Sequence, residues 1–264
     1  MAEIVSLSDG IAAVVHDGDT LVMEGFTHLI PFAAGHEIIR QGRRELTLVR
    51  MTPDLIYDQL IGMGCASKLI FSWGGNPGVG SLHRFRDAVE NAWPVPLDLE
   101  EHSHAGMANR YLAGASGLPF AVLRGYVGTD LVAQTDTIRS ITCPFTGEVL
   151  TAVPALSPDV TIIHAQRADR KGNVQMWGIL GVQKEAVLAA KRSLIPSRRS
   201  STASIPSHRR SCSRPSQPRT SPWLREGRTR PTRRDIPCAT TPSTRSGTRS
   251  ARTATPSCAG WTRT

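Results

Sequence analysis

Short apolar runs alternate with longer amphipathic segments through the first 191 residues. The apolar runs are bounded by Gly, Pro, Asp and Ser, which is typical of buried strands, and the longer segments have the spacing of helices. Strands that alternate with helices predict an α/β fold with a largely parallel sheet and helical crossovers. In chain order the pattern predicts a helix at 6–16, a turn and strand at 17–23, a helix at 32–43, a strand at 46–49, a helix at 53–62, a strand at 68–73 and a helix at 82–91.

The pattern continues beyond residue 100, with one antiparallel interruption. Segments 138–144 and 148–153 flank the turn Phe145-Thr146-Gly147, so we expect them to pair as a hairpin. The remaining predicted elements are a helix at 105–115 that ends at Gly117, a strand at 118–123, a buried strand at 158–169 that turns back at 170–174, and a helix at 182–192.

Two glycine-containing loops follow predicted strands. Gly25 stands where the strand at 17–23 ends, and a glycine there supplies dihedral angles or clearance that a Cβ would prevent. The loop 74–80 leads to Ser81, a predicted N-cap, so its bare amides and the helix end should attract an anion. It lacks both the P-loop and the dinucleotide-binding glycine spacings. Ligands of open α/β sheets bind beyond the carboxyl ends of strands, which makes both loops candidates for a binding site.

A group of polar residues, Glu101, His102 and His104, follows another apolar run. A metal site is one interpretation, but it needs three or four converging ligands and the other histidines show no matching spacing. We therefore expect no metal, and we expect these two histidines to be peripheral. His164, at the end of a buried strand, is expected to be structural.

The positive charge is concentrated in the C-terminal region. The chain has a formal net charge of +9, yet 16 arginines, no lysine and two acidic residues follow Lys191, so the first 191 residues carry a net charge of −5. Segment 192–264 is rich in Arg, Ser, Thr and Pro without apolar periodicity, which predicts a disordered basic tail after a folded domain at 1–191. A tail that contacts nucleic acid is one interpretation, and we consider it the weaker one.

Out-of-frame translation of a GC-rich gene explains the same composition better. Residues 195–202 can be encoded so that a one-base shift reads Thr-Val-Glu-Glu-Ile-Val-Asp, and residues 226–235 so that the same shift reads Gly-Ala-His-Pro-Ser-Tyr-Ala-x-Gly. A run of ordinary protein sequence in one constant frame predicts a break at about codons 191–195. The tail's charge would then be an accident, and we expect no nucleic-acid partner.

Other whole-chain features point to the cytoplasm. The five cysteines show neither zinc-site nor disulfide-framework spacing, and Glu3 and Asp9 stand where a secretory signal would carry basic residues. No apolar stretch is long enough to span a bilayer, so we expect no membrane association.

Two stretches resemble one protein family. Both are similar to stretches in the alpha subunits of family I coenzyme A transferases, especially the glutaconate type. The first stretch is Asp17-Gly18 followed by an apolar run and Gly25-Phe26. The second is Asp159-Val160-Thr161-Ile162-Ile163-His164-Ala165-Gln166 with the return Gly172-Asn173-Val174. The resemblance covers about residues 1–191. One departure is Glu24, because the family signature has a second glycine there.

This resemblance implies the fold and the reaction. Family members transfer coenzyme A between carboxylates through a glutamate of the beta subunit, so the resemblance implies no catalytic nucleophile in this chain, no cofactor beyond the coenzyme A thioester substrate, and a beta-subunit partner. The chain would form one wall of the site for acyl-CoA and carboxylate substrates, either short dicarboxylates or 3-oxo acids. The substrate- or CoA-binding residues that the resemblance implies are Gly25, Phe26, Thr27, Gly75, Asn76 and Ser103, with the Ser103 hydroxyl as a hydrogen-bond donor.

Two other outcomes stay open at this point. Related alpha–beta pairs hydrolyse carbon–carbon bonds in coenzyme A thioesters of steroid ring fragments, and the sequence of the partner's nucleophile position would distinguish them. The aberrant C-terminus could also leave the chain inactive. The neighbouring coding sequence is the most useful observation, because a beta subunit there would identify the class.

Overall fold

The computed structural model describes residues 3–25, 28–76, 80–169, 171–201 and 212–213. All of them lie in the first of two compact units, Met1–Glu226. The helices are α1 Leu7–Val14, α2 Phe32–Arg40, α3 Leu55–Gly62, α4 His83–Asn91, α5 His104–Ser116, α6 Leu131–Gln134 and α7 Gln183–Ala189. The strands are β1 Thr20–Glu24, β2 Leu46–Val49, β3 Ala66–Phe71, β4 Asp98–Glu101, β5 Phe120–Leu123, β6 Arg139–Thr142, β7 Val149–Pro154, β8 Val160–Ile163, β9 Ala165–Asp169, β10 Asn173–Gln175, β11 Arg192–Leu194, β12 Ser197–Ser201 and β13 Cys212–Ser213.

Six strands form the central sheet in the order β11-β8-β1-β2-β3-β4, and every neighbouring pair is parallel. Side chains alternate across β1, so Leu21 and Met23 face one side and Val22 faces the other. Helices α1 to α4 pack on the first side, where Ile38 and Leu60 are fully buried. Helices α5 and α7 pack on the second side. The largely parallel α/β fold that the sequence predicts is confirmed.

Two smaller sheets extend this core. Strands β5, β7 and β6 form an antiparallel sheet in that order, which includes the predicted hairpin. Strands β12, β9, β10 and β13 form the other sheet, in which β9 and β10 are antiparallel. Within the described ranges, no helix is long and apolar enough to cross a membrane.

Some element boundaries and caps differ from the prediction. The helix expected at 182–192 ends at Ala189, because Arg192–Leu194 joins the sheet as β11 beside β8. The N-cap of α1 is Ser6, whose hydroxyl accepts a hydrogen bond from the Asp9 amide, whereas the sequence suggested Ser8 or Asp9 as caps. The helix expected to end at residue 43 ends at Arg40.

The C-terminal region is described only in part. The predicted tail starts at residue 192, within β11, and residues 202–211 and 214–264 lie outside the described residues. Its predicted disorder and the domain boundary at 191 therefore stay predictions.

Candidate active site

The loops after β1, β2, β3 and β4 meet at one edge of the central sheet, because parallel strands end on the same side. Backbone hydrogen bonds join these loops directly. The Trp73 amide donates to the Met51 carbonyl at 3.2 Å, the Gly75 amide donates to the Pro53 carbonyl at 3.2 Å, and the His102 amide donates to the Phe71 carbonyl at 2.8 Å. The predicted site residues Gly25, Gly75, Asn76 and Ser103 all follow strands at this carboxyl edge.

Gly25 occupies a position where no side chain fits. A Cβ built on Gly25 would lie 2.6 Å from the Leu29 carbonyl oxygen and 2.9 Å from the Ile30 amide nitrogen. These are backbone atoms, so they cannot move aside as a flexible side chain can. The structure thus shows why a glycine is needed at this strand end, with the neighbouring turn as the approaching group, and the ligand-binding role expected of Gly25 stays a prediction. The other two predicted residues of this loop, Phe26 and Thr27, lie outside the described residues.

A buried polar network contacts the turn at Gly25 and stabilises its position. Arg50, which follows β2, donates from Nη2 to the Gly25 carbonyl oxygen at 2.6 Å and pairs with Asp54 at 2.9 Å. Glu24 accepts hydrogen bonds from the Tyr111 hydroxyl at 2.8 Å and from the Met51 amide at 3.3 Å. Burial raises the pKa of the Glu24 carboxyl, and the nearby Arg50 charge opposes this shift. The network connects the ends of β1 and β2 with helix α5.

The glycine loop at 74–80 differs from its prediction in one respect. Helix α4 starts after Leu82, not Ser81, and no side chain of its own caps it. The Asp58 carboxylate of α3 instead accepts hydrogen bonds from the Arg84 and Phe85 amides, each at 2.9 Å. The Asp58 carboxylate thus occupies this helix end, and the expectation that the helix end attracts an anion from outside the protein is wrong.

Gly75 and Asn76 nevertheless lie at the carboxyl edge. A Cβ on Gly75 would meet the indole ring of Trp73 at 2.6 Å, and Asn76 forms a backbone bridge with Gly80. Residues 77–79 of the loop lie outside the described residues. The ligand-binding role expected of Gly75 and Asn76 stays a prediction.

Ser103 is the N-cap of α5, and Tyr126 fixes its position. The Ser103 hydroxyl oxygen accepts a hydrogen bond from the Gly106 amide at 3.0 Å, while the Ser103 amide donates to the Tyr126 hydroxyl at 3.0 Å. A Cβ on Gly106 would lie 1.6 Å from that Tyr126 oxygen, so only glycine permits the contact. The hydroxyl hydrogen of Ser103 can still donate to a ligand, as the predicted role requires.

His102 is fully buried, so the expectation that it is peripheral is wrong. Its Nε2 lies 3.0 Å from Glu100 Oε1, and its Nδ1 lies 3.3 Å from the Tyr126 hydroxyl. Glu100 also accepts from Arg110 Nη1 at 2.6 Å. Burial lowers the pKa of His102, which favours the neutral imidazole. His102 therefore supports Ser103 and Tyr126 from beneath the edge.

The Glu100 carboxylate stays charged in this cluster. Burial alone would raise the pKa of Glu100, but the surrounding donors, including Arg110 and Lys68, lower it below its ordinary value.

His164 lies half-buried between β8 and β9. Among the residues that the structure describes, no group of three or more His, Cys, Asp and Glu side chains could hold a metal ion.

His104 lies on the carboxyl edge itself and is exposed. Its Nδ1 is 3.1 Å from the Ser72 hydroxyl oxygen, after β3, and its Nε2 is 3.4 Å from the Thr52 hydroxyl oxygen, after β2. A residue that follows β4 thus reaches across the end of β3 to the loop after β2. The expectation that His104 is peripheral is also wrong.

Comparison with known proteins identifies the family of this chain. A sequence model of the family described as coenzyme A transferase matches residues 4–195. Over 195 residues, the chain is 68% identical to the alpha subunit of the 3-oxoadipate CoA-transferase of Pseudomonas knackmussii, and the match covers 74% of this chain and 69% of that one. Over 213 residues it is 33% identical to the alpha subunit of the glutaconate CoA-transferase of Acidaminococcus fermentans, covering 74% of this chain and 66% of that one.

A solved structure supports the same relationship. The crystal structure of glutaconate coenzyme A-transferase from Acidaminococcus fermentans has a TM-score of 0.72 to this chain at 32% identity, covering 75% of this chain and 68% of that one. The resemblance that the two sequence stretches indicate is therefore confirmed, including the alpha-subunit type. The chain belongs to the coenzyme A transferase family.

Proposed function

We propose that the chain is the alpha subunit of a coenzyme A transferase that exchanges coenzyme A between short dicarboxylates and needs a separate beta subunit. The observation that carries the proposal is its 68% identity to an alpha subunit named for 3-oxoadipate, a dicarboxylate with a 3-oxo group. A second relative is named for glutaconate, which is also a dicarboxylate. The carboxyl edge with Gly25, Gly75 and Ser103 supplies a surface for such substrates.

The partner's glutamate performs the covalent steps in this proposal. Its carboxylate attacks the acyl-CoA carbonyl, and coenzyme A leaves as the thiolate. The glutamate carboxylate and the acyl group are then joined as an anhydride. The thiolate then attacks the anhydride at the glutamate carbonyl, which releases the first acid and leaves an enzyme–CoA thioester. The acceptor carboxylate reverses these two steps and departs as the new acyl-CoA.

The carboxylates beneath the edge of this chain are poor nucleophile candidates. Glu24 is buried and accepts hydrogen bonds from Tyr111 and Met51, and Glu100 is buried against Arg110 and Lys68. Neither side chain can reach a thioester without losing these partners. The chain's own contribution is binding and hydrogen bonding. Ser103 donates its hydroxyl hydrogen toward the oxygen that gains charge in the transition state.

The experiment compares the chain with the reconstituted pair. The full chain is assayed alone, and then with the beta subunit of a 3-oxoadipate CoA-transferase, for exchange between succinyl-CoA and 3-oxoadipate. We expect no turnover by the chain alone and robust exchange by the pair. Turnover without a partner would contradict the alpha-subunit role, and no exchange by a well-folded pair would contradict the proposed substrates.

A further inference from the structure

We infer that His104 and Thr52 bind the distal carboxylate of a dicarboxylic acid and thereby select dicarboxylates over monocarboxylates. This inference rests on the proposed function, because it assigns a role within the same site. It concerns two side chains that the family resemblance did not single out.

The hydrogen bonds around Ser72 determine which ring nitrogen of His104 carries a proton. The Ser72 hydroxyl donates its hydrogen to the Met51 carbonyl oxygen at 2.6 Å. Its oxygen can then only accept from His104, so the hydrogen of the 3.1 Å contact belongs to Nδ1 of His104. The other nitrogen, Nε2, is therefore the ring atom that can form a hydrogen bond with a ligand. It accepts when the ring is neutral and donates when the ring is protonated.

Nε2 of His104 and the Thr52 hydroxyl form a pair of adjacent donors when the ring is protonated. Their separation of 3.4 Å is long for a hydrogen bond, so a stronger partner can replace this contact at little cost. A carboxylate has two oxygens and can accept one hydrogen from each group. Because His104 is exposed and Thr52 is half-exposed, such a ligand can reach both.

The position of the pair suits the far end of a substrate whose reacting end lies near Ser103 and Gly25. His104 follows Ser103 directly in the chain. Thr52 follows Met51, whose amide donates to Glu24 next to Gly25. A small acid whose reacting end lies near Ser103 and Gly25 can therefore place its far end beside His104 and Thr52.

Charge at the edge also favours this assignment. Arg50 forms an ion pair with Asp54, and Arg110 and Lys68 form ion pairs with Glu100. These ion pairs leave His104 as an accessible group at the edge that can gain a positive charge. Its contact with a carboxylate would be a charge-assisted hydrogen bond, the stronger class of such bonds.

The test measures acceptor KM values for the reconstituted pair with His104→Gln and Thr52→Val variants. Loss of a hydrogen bond to a charged group weakens binding by about tenfold to a hundredfold. With 3-oxoadipate as the acceptor, we expect His104→Gln to raise the acceptor KM by that factor, and Thr52→Val to raise it less. Both should leave the KM for an equally long monocarboxylate with a 3-oxo group, which lacks the distal carboxylate, within about twofold. The control is His36→Gln, since His36 is an exposed histidine on α2 and contacts Gln59.

The His104→Gln variant is compared on both acceptors, 3-oxoadipate and the monocarboxylate. Equal effects of the variant on both acceptors, or none on either, would overturn the subsite while leaving the transferase intact. Absence of exchange by the wild-type pair would overturn the proposed substrates and the subsite together.

Discussion

Replacing Gly25 with valine is expected to reduce turnover by the reconstituted pair by about a hundredfold or more, the effect of a displacement of about 1 Å in an active site. The new Cβ would stand 2.6 Å from the Leu29 carbonyl oxygen and 2.8 Å from the Leu29 carbonyl carbon. The turn must shift to relieve this contact, and the shift would also disturb the Arg50 hydrogen bond to Gly25. The loss should exceed that of His104→Gln, which removes one ligand contact.

The matched control for Gly25→Val is Gly62→Ala. Gly62 is the last residue of α3, at the opposite edge of the sheet, and a Cβ there meets atoms of the flexible Arg84 side chain. Circular dichroism melts of both variants separate lost activity from lost folding. Turnover within about threefold of wild type by a folded Gly25→Val pair would contradict the close-approach role.

Restoring the reading frame near codons 191–195 is expected to increase the yield of soluble, active chain severalfold or more. We propose that the segment beyond this point is an out-of-frame product. Similarity to the family ends at residue 195. The structure also follows the expected sheet up to Leu194, which pairs in β11 with Ile162 of β8 and packs against the apolar core. The polar segment Ser197–Ser201 comes directly afterwards.

The physical reason is the loss of apolar surface cover. The shifted reading Thr-Val-Glu-Glu-Ile-Val-Asp supplies apolar residues where the present chain has mostly Ser and Arg. Without them, we expect core surface to stay exposed and the chain to be prone to aggregation. Resequencing the gene and expressing a version with one base added or removed near codon 195 test this proposal. The same change near codon 250 is the control, because it alters only the last residues. A restored frame without a family-like C-terminus would contradict it.

Local pattern predicted much of the fold. Strand β2 coincides with the predicted segment 46–49, and α5 ends at Ser116 with Gly117 as its C-cap, in the left-handed conformation at φ 69°. These features depend on neighbouring residues, and a window of about ten residues contains the information. The glycine at the end of β1 was recognisable for the same reason.

The features that the sequence did not reveal depend on distant partners. Ser81 failed as the cap of α4 because Asp58, on the preceding helix, satisfies the same amides. The burial of His102 depends on Arg110 and Tyr126, which tertiary packing brings to it. Arg50 was missed, although an arginine directly after an apolar strand and four residues before Asp54 is a usable signal for a buried ion pair.

The measurement that tests transferase chemistry most directly follows oxygen from labelled water. The reconstituted pair is run with succinyl-CoA and 3-oxoadipate in water enriched in oxygen-18, and the succinate released is analysed by mass spectrometry. In transfer, the new oxygen of succinate comes through the partner's glutamate from the acceptor carboxylate, so we expect no label from water while 3-oxoadipyl-CoA accumulates. One labelled oxygen per succinate, without a new acyl-CoA, would show hydrolysis and contradict the account.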